Sequence, residues 1–105
     1  MGFKPFYVHI NHGPGKLPSK WARGATVLVS PDPQDGRSCV LQVAVCSRDD
    51  QFCRATGRAQ AAKEQKYTIN VRALDKKLSE IRLLTEHDKK GSYRRAYGYV
   101  YKFML

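Results

Sequence analysis

The chain has no apolar run approaching the ~20 residues that cross a bilayer. Its opening, Met-Gly-Phe-Lys-Pro, has no apolar signal region, and Phe6 stands where a myristoylation motif needs Ser or Thr. An intracellular protein with no membrane partner is the expectation. Cysteine is scarce: Cys39, Cys46 and Cys53 are an odd number for a secreted disulfide framework, in keeping with a reducing compartment. No C-x-x-C or spaced His pair places Cys46, Cys53, His9 and His12 at ligand spacing, so neither a metal nor a cofactor is expected. His9, His12 and His87 have no catalytic motif around them, so no enzyme is expected. Internal repeats and low-complexity tracts are also missing.

The most consequential shortage is of acid. Nine Asp and Glu face nineteen Lys and Arg, a formal +10 in 105 residues. The imbalance is concentrated: residues 1–50 carry 6 basic and 4 acidic side chains and residues 51–105 carry 13 and 5, so the second part holds +8. A pI near 9.8 points to phosphate, an acidic protein surface or an anionic membrane as partner. The length suits one domain over residues 1–105, and the 42% apolar content is that of a globular chain.

Phe6, Val8 and Ile10 alternate with Tyr7, His9 and Asn11, which predicts a first strand near residues 5–11. Residues 12–24, with three Gly, two Pro and the single Trp21, read as a surface loop anchored by the indole. Ala25 to Val29 has no polar alternation, so it reads as a central strand or one covered on both faces. Asp32-Pro33-Gln34-Asp35-Gly36 is turn chemistry and predicts a hairpin. In the third strand, Cys39, Leu41, Val43 and Val45 form the core face.

A helix is predicted from Ser47 to Glu64. Ser47 and Asp50 form a capping box, and Asp49 and Asp50 meet the positive helix end. Winding it gathers Phe52, Ala55, Thr56, Ala59 and Ala62 as a core face, beside a basic shoulder with Arg54 and Arg58. Tyr67 to Arg72 reads as a fourth strand. Leu74, Leu78, Ile81 and Leu84 or Thr85 predict a second helix. Glu86 to Ala96 reads as a loop, and Tyr97 to Leu105 as a fifth strand, with Tyr97, Tyr99, Tyr101, Phe103 and Leu105 on one side and Val100 and Met104 on the other. The expected fold is α+β: about five strands in a mostly antiparallel sheet, with two helices on one face. All three cysteines read as buried reduced thiols.

Two stretches could carry binding. Tyr97, Tyr99 and Tyr101 on an open sheet face would stack unpaired bases, with Lys89, Lys90, Arg94 and Arg95 just upstream to hold phosphates. The opposing reading packs these aromatics as core, with Val100 and Met104 outward. Arg54 and Arg58, one helical turn apart with no acid on their stripe, would suit phosphate, or else form a solvated shoulder pairing with Glu64 or nearby Asp. Gly57 beside them costs helix stability and so points to close approach of a backbone or a ligand.

Arg95 to Val100 (RAYGYV) is similar to the aromatic strand of RNA-recognition motif domains, matching at Arg95, Tyr97, Gly98 and Val100 and departing at Ala96 and Lys102. Five residues follow Val100, so a whole domain of that kind is not expected. Cys46 to Ala61 (CSRDDQFCRATGRAQA) resembles a segment of small proteins of double-stranded DNA bacteriophages, at Cys46, Ser47, Asp50, Gln51, Phe52, Arg54, Gly57 and Arg58. That resemblance implies a phage accessory protein in a bacterial host cytoplasm, and no activity. The combined expectation is a nucleic-acid-binding protein, for RNA or single-stranded DNA. The alternative is an inhibitor or adaptor docking on an acidic host protein complex, such as a defence or transcription assembly.

Overall fold

Four strands lie in the order in which the chain makes them. The computed structural model describes residues 3–12, 23–46, 53–86, 100 and 102–104. β1 (Phe6–Asn11), β2 (Gly24–Pro31), β3 (Ser38–Cys46) and β4 (Tyr67–Asn70) form one antiparallel sheet, order β1-β2-β3-β4. α1 (Arg54–Ala61) connects β3 to β4, and a 3₁₀ turn (Val71–Ala73) leads from β4 into α2 (Leu74–Glu86). The β3 and β4 strands flanking α1 are antiparallel, so no parallel crossover is formed.

The turn residues set the β2–β3 register, Pro31 opposite Cys39. The Asp32 carboxylate accepts from the Gln34 amide at 2.9 Å, and Asp35 accepts from the Arg37 amide at 2.9 Å and the Ser38 hydroxyl at 2.8 Å. Those bonds, the Arg37 amide first, hold the exposed Asp35 carboxyl below the usual carboxylate range.

Each strand divides its side chains between two faces. One carries Ile10, Ala25, Val27, Val29, Cys39, Leu41 and Val43, and forms the main core with Ile81 of α2 and with Val100 and Met104. Half-buried Leu74, Leu78 and Leu84 complete the helix's contribution, so the expected spacing of the second helix and the expected core face of β3 both hold. The opposite face carries His9, Thr26, Gln42 and Ala44, and α1 lies there. A Cβ on Gly57 would overlap the Thr26 hydroxyl and stand 3.0 Å from the Thr26 Cβ. Gln42, buried in β3, donates from Nε2 to the carbonyls of Ala62 (3.2 Å) and Glu64 (2.9 Å), fastening the end of α1 to the same face.

Several expectations are corrected here. The two helices cover opposite faces of the sheet, not one. The sheet has four strands among the described residues: Val100 and residues 102–104 have helical backbone, with Val100 and Met104 buried at i and i+4. The tyrosine alternation suggested period two, but Val100, Phe103 and Met104 follow the helical spacing that buries them. Helix α1 begins at Arg54, since Cys53 is extended (φ −131°, ψ 118°), so no single helix runs from Ser47 to Glu64. Its inward stripe is Gly57 and Ala61; Ala55, Thr56, Ala59 and Ala62 are exposed. Small size at Gly57 decided which side could approach the sheet closely, and that outweighed the alanine count.

A clasp joins the end of β1 to the end of α2. The buried Thr85 hydroxyl lies 3.0 Å from both the Ile81 and Arg82 carbonyls, to which it donates, and its oxygen accepts from His12 Nε2 at 2.8 Å. The expected loop anchored by Trp21 and the cap residues Ser47, Asp49 and Asp50 lie outside the described residues.

Candidate anion-binding surface

The close approach of Gly57 to Thr26 brings the start of α1 alongside β1, because His9 is the register partner of Thr26. His9 Nδ1 and the Thr26 hydroxyl are hydrogen-bonded at 3.1 Å. Burial first, and then the guanidinium charges of Arg54 and Arg58, push the His9 pKa below its ordinary 6.5. Burial and two nearby cations therefore both disfavour the protonated imidazole. Both arginine side chains are exposed, and neither forms an ion pair with a described residue. Asp49 and Asp50, the nearby aspartates of the solvated-shoulder reading, lie outside the described residues.

Tyr7 continues the patch along β1. Its ring stacks on that of His9, centroids 6.3 Å apart and planes inclined by 15°, and it is 36% exposed. Cys53 closes the other end as the N-cap residue of α1. The exposed thiol makes no cap hydrogen bond. Its pKa is nevertheless lowered, chiefly by the Thr56 hydroxyl, then by the Thr56 and Ala55 amides and the Arg58 charge, all of which favour the thiolate. Cys39 is the reverse case, buried and with its pKa pushed up. The expectation of three buried thiols is thus corrected: Cys39 is buried, Cys46 half-buried and Cys53 exposed.

Chemically this surface offers two planar guanidiniums, a histidine that can take up a proton and an aromatic face. Groups of this kind can hold a phosphate bidentately and stack a flat ring. Among the described residues no group of three or more His, Cys, Asp and Glu could hold a metal, and no helix is long and apolar enough to cross a membrane.

Of the residues singled out from sequence, Arg54 and Arg58 are brought together here. Lys89, Lys90, Arg94, Arg95, Tyr97, Tyr99 and Tyr101 lie outside the described residues. Sequence reasoning passed over Tyr7 and His9, whose shared parity with Asn11 on the polar side of β1 was the available signal, and Cys53, whose place immediately before Arg54 became informative only once the helix start was fixed. No family model, no curated protein and no solved structure matches this chain.

Proposed function

We propose that this chain is a small basic accessory protein, of the phage type that its Cys46 to Ala61 segment resembles, which binds RNA or single-stranded DNA in a bacterial cytoplasm. The observation that carries the reading is the exposed Arg54 and Arg58 pair, without a described carboxylate partner, set beside the stacked His9 and Tyr7 rings. The arginines engage phosphates, and Tyr7 offers a face to an unpaired base. Lys89, Lys90, Arg94, Arg95, Tyr97, Tyr99 and Tyr101 supply further phosphate and base contacts in this proposal. Filter binding of a single-stranded oligonucleotide across a salt series tests it, with log K expected to fall by ~0.7 per log unit of salt for each phosphate neutralised. Replacing Arg54 and Arg58 by Glu removes at least two such contacts while leaving the fold, since both side chains are exposed. Absence of binding at low salt rejects the reading.

A second reading is favoured by a different observation. Phe3, Phe6 and Tyr7 are 37%, 40% and 36% exposed, and the Phe3 and Phe6 rings are 5.6 Å apart, at the start of the edge strand β1. Apolar aromatics at a sheet edge suit a protein partner, as an inhibitor or adaptor on a host complex would need. A partner captured in the presence of nuclease, and lost on Phe3→Ser with Phe6→Ser, supports this second reading; a partner lost on nuclease treatment supports the first.

A further inference from the structure

A second basic site lies at the opposite end of the sheet from His9. The register places Thr26 opposite both His9 and Ala44, whereas Ser38, six residues back along β3, faces Asn70 of β4. At about 3.4 Å per residue the two ends are roughly 20 Å apart. Here Gly36, Arg37, Asn70, Val71 and Arg72 line a groove of about 370 Å³. Backbone bonds build it: the Val71 amide donates to the Arg37 carbonyl at 2.8 Å, and the Asn70 side chain accepts from the Arg72 amide at 2.9 Å. Both guanidiniums are therefore carried on fixed backbone, and both side chains are exposed.

Three features say what the groove takes. Arg37 and Arg72 form no ion pair with a described residue. The adjacent Asp35 carboxylate is engaged by the Arg37 amide and the Ser38 hydroxyl within the turn, and Asp32 accepts from the Gln34 amide. Val71, which lines the groove with Arg37 and Arg72, exposes 38% of its surface and supplies an apolar part of the wall. A phosphate joined to an apolar sugar or base face matches that combination, and an unpaired nucleotide presents it; a duplex would offer its phosphate ridge alone. The approach is prepared as well. Thr68 and Asn70 lie exposed on one side of the outermost strand, paired with Val40 and Ser38, and exposed Lys66 and Arg72 flank that strand in the chain.

We infer that Arg37 and Arg72 clamp a phosphodiester of a single nucleic-acid strand whose other contacts are Arg54, Arg58 and His9, with Val71 packing against the nucleotide. This rests on the proposed nucleic-acid binding and extends it into a footprint about 20 Å long that selects unpaired over paired strands. The strand runs past exposed Lys63 and Lys66, which bridge the two sites in the chain.

The test is the salt dependence of binding a fluorescein-labelled twelve-residue oligothymidylate by the full chain, its Arg37→Gln/Arg72→Gln variant and its Arg54→Gln/Arg58→Gln variant. Each pair should reduce the slope of log K against log salt by about 1.4, two contacts at ~0.7 each. A duplex of the same length should lose less on the Arg37/Arg72 change than the single strand does. Amide shifts of Val71 and Arg72 in the unaltered protein on adding the oligonucleotide give the same readout without a substitution, and they should move together with Arg54 and Arg58. An unchanged slope in Arg37→Gln/Arg72→Gln with a reduced one in Arg54→Gln/Arg58→Gln, or still amides at Val71 and Arg72, overturns the inference and leaves the proposed function standing. No binding by the unaltered protein at low salt overturns both.

Discussion

Replacing Gly57 by Ala sets two well-measured effects against each other. In an exposed helix interior that change stabilises by ~1 kcal/mol, because glycine gives up more backbone freedom on folding. At this position the new methyl meets the hydroxyl of Thr26, a residue only 2% exposed on the central strand and hydrogen-bonded to His9. Thr26 cannot swing clear without breaking that bond, so the helix must lift from the sheet. Overpacking of this kind costs ~1–3 kcal/mol, leaving a net loss of about 0–2 kcal/mol. Thr26→Ala removes the overlapping oxygen and the Cγ2 atom that stands 3.5 Å away. In that background Gly57→Ala should be neutral or stabilising, and the double-mutant cycle should return a coupling of roughly 1–2 kcal/mol. Urea unfolding followed by circular dichroism measures all four proteins, with unchanged m-values expected. If Gly57→Ala alone raises stability by ~1 kcal/mol, α1 does not rest on Thr26, and the placement of Arg54 and Arg58 beside His9 falls with it.

Other outcomes follow from neighbouring features. His9 has its folded pKa depressed below 6.5, so the unfolded chain takes up the proton first; the stability from neutral His9 is present above pH 6.5 and is lost as pH falls below it, and His9→Gln should flatten that acid-side loss in a pH series of unfolding midpoints. A bound phosphate would offset the two guanidinium charges and raise the same pKa, so oligonucleotide affinity should increase between about pH 7.5 and 5.5, and not in His9→Gln. Iodoacetamide should alkylate Cys53 first and Cys39 last, as peptide mapping will show, with Arg58→Ala slowing Cys53; simultaneous labelling of Cys39 would contradict its burial. Gln42→Met leaves the Ala62 and Glu64 carbonyls without that donor, costing ~1–3 kcal/mol, and hydrogen exchange should quicken across α1 before the strands.

The strands and the second helix were legible because each is stated locally. Alternation gave β1 and the core face of β3, Asp-Pro-Gln-Asp-Gly gave the hairpin, and Leu74, Leu78 and Ile81 gave α2. The unpatterned Ala25 to Val29 run also carried a correct message, a strand covered on both faces, and it already conflicted with putting both helices on one side. What could not be read locally was which face each helix chose. Gly57 signalled close approach, but its partner Thr26 lies 31 residues earlier and only the register reveals it. Arg54 and Arg58 were recognisable as a pair, whereas His9 joins them through tertiary placement alone. The terminal segment misled because Tyr97, Tyr99 and Tyr101 alternate while Val100, Phe103 and Met104 recur at helical spacing; burial of Val100 and Met104 decided between the two periods.

Because the sheet is assembled in chain order, its apolar side is complete once β4 is laid down, whereas the described residues that pack over it, those of α2 with Val100 and Met104, all follow β4 in the chain. Until those residues pack, part of the apolar face stays open, and they act as its seal. Products clipped before Val100 should be far more prone to self-association than their small loss of mass suggests.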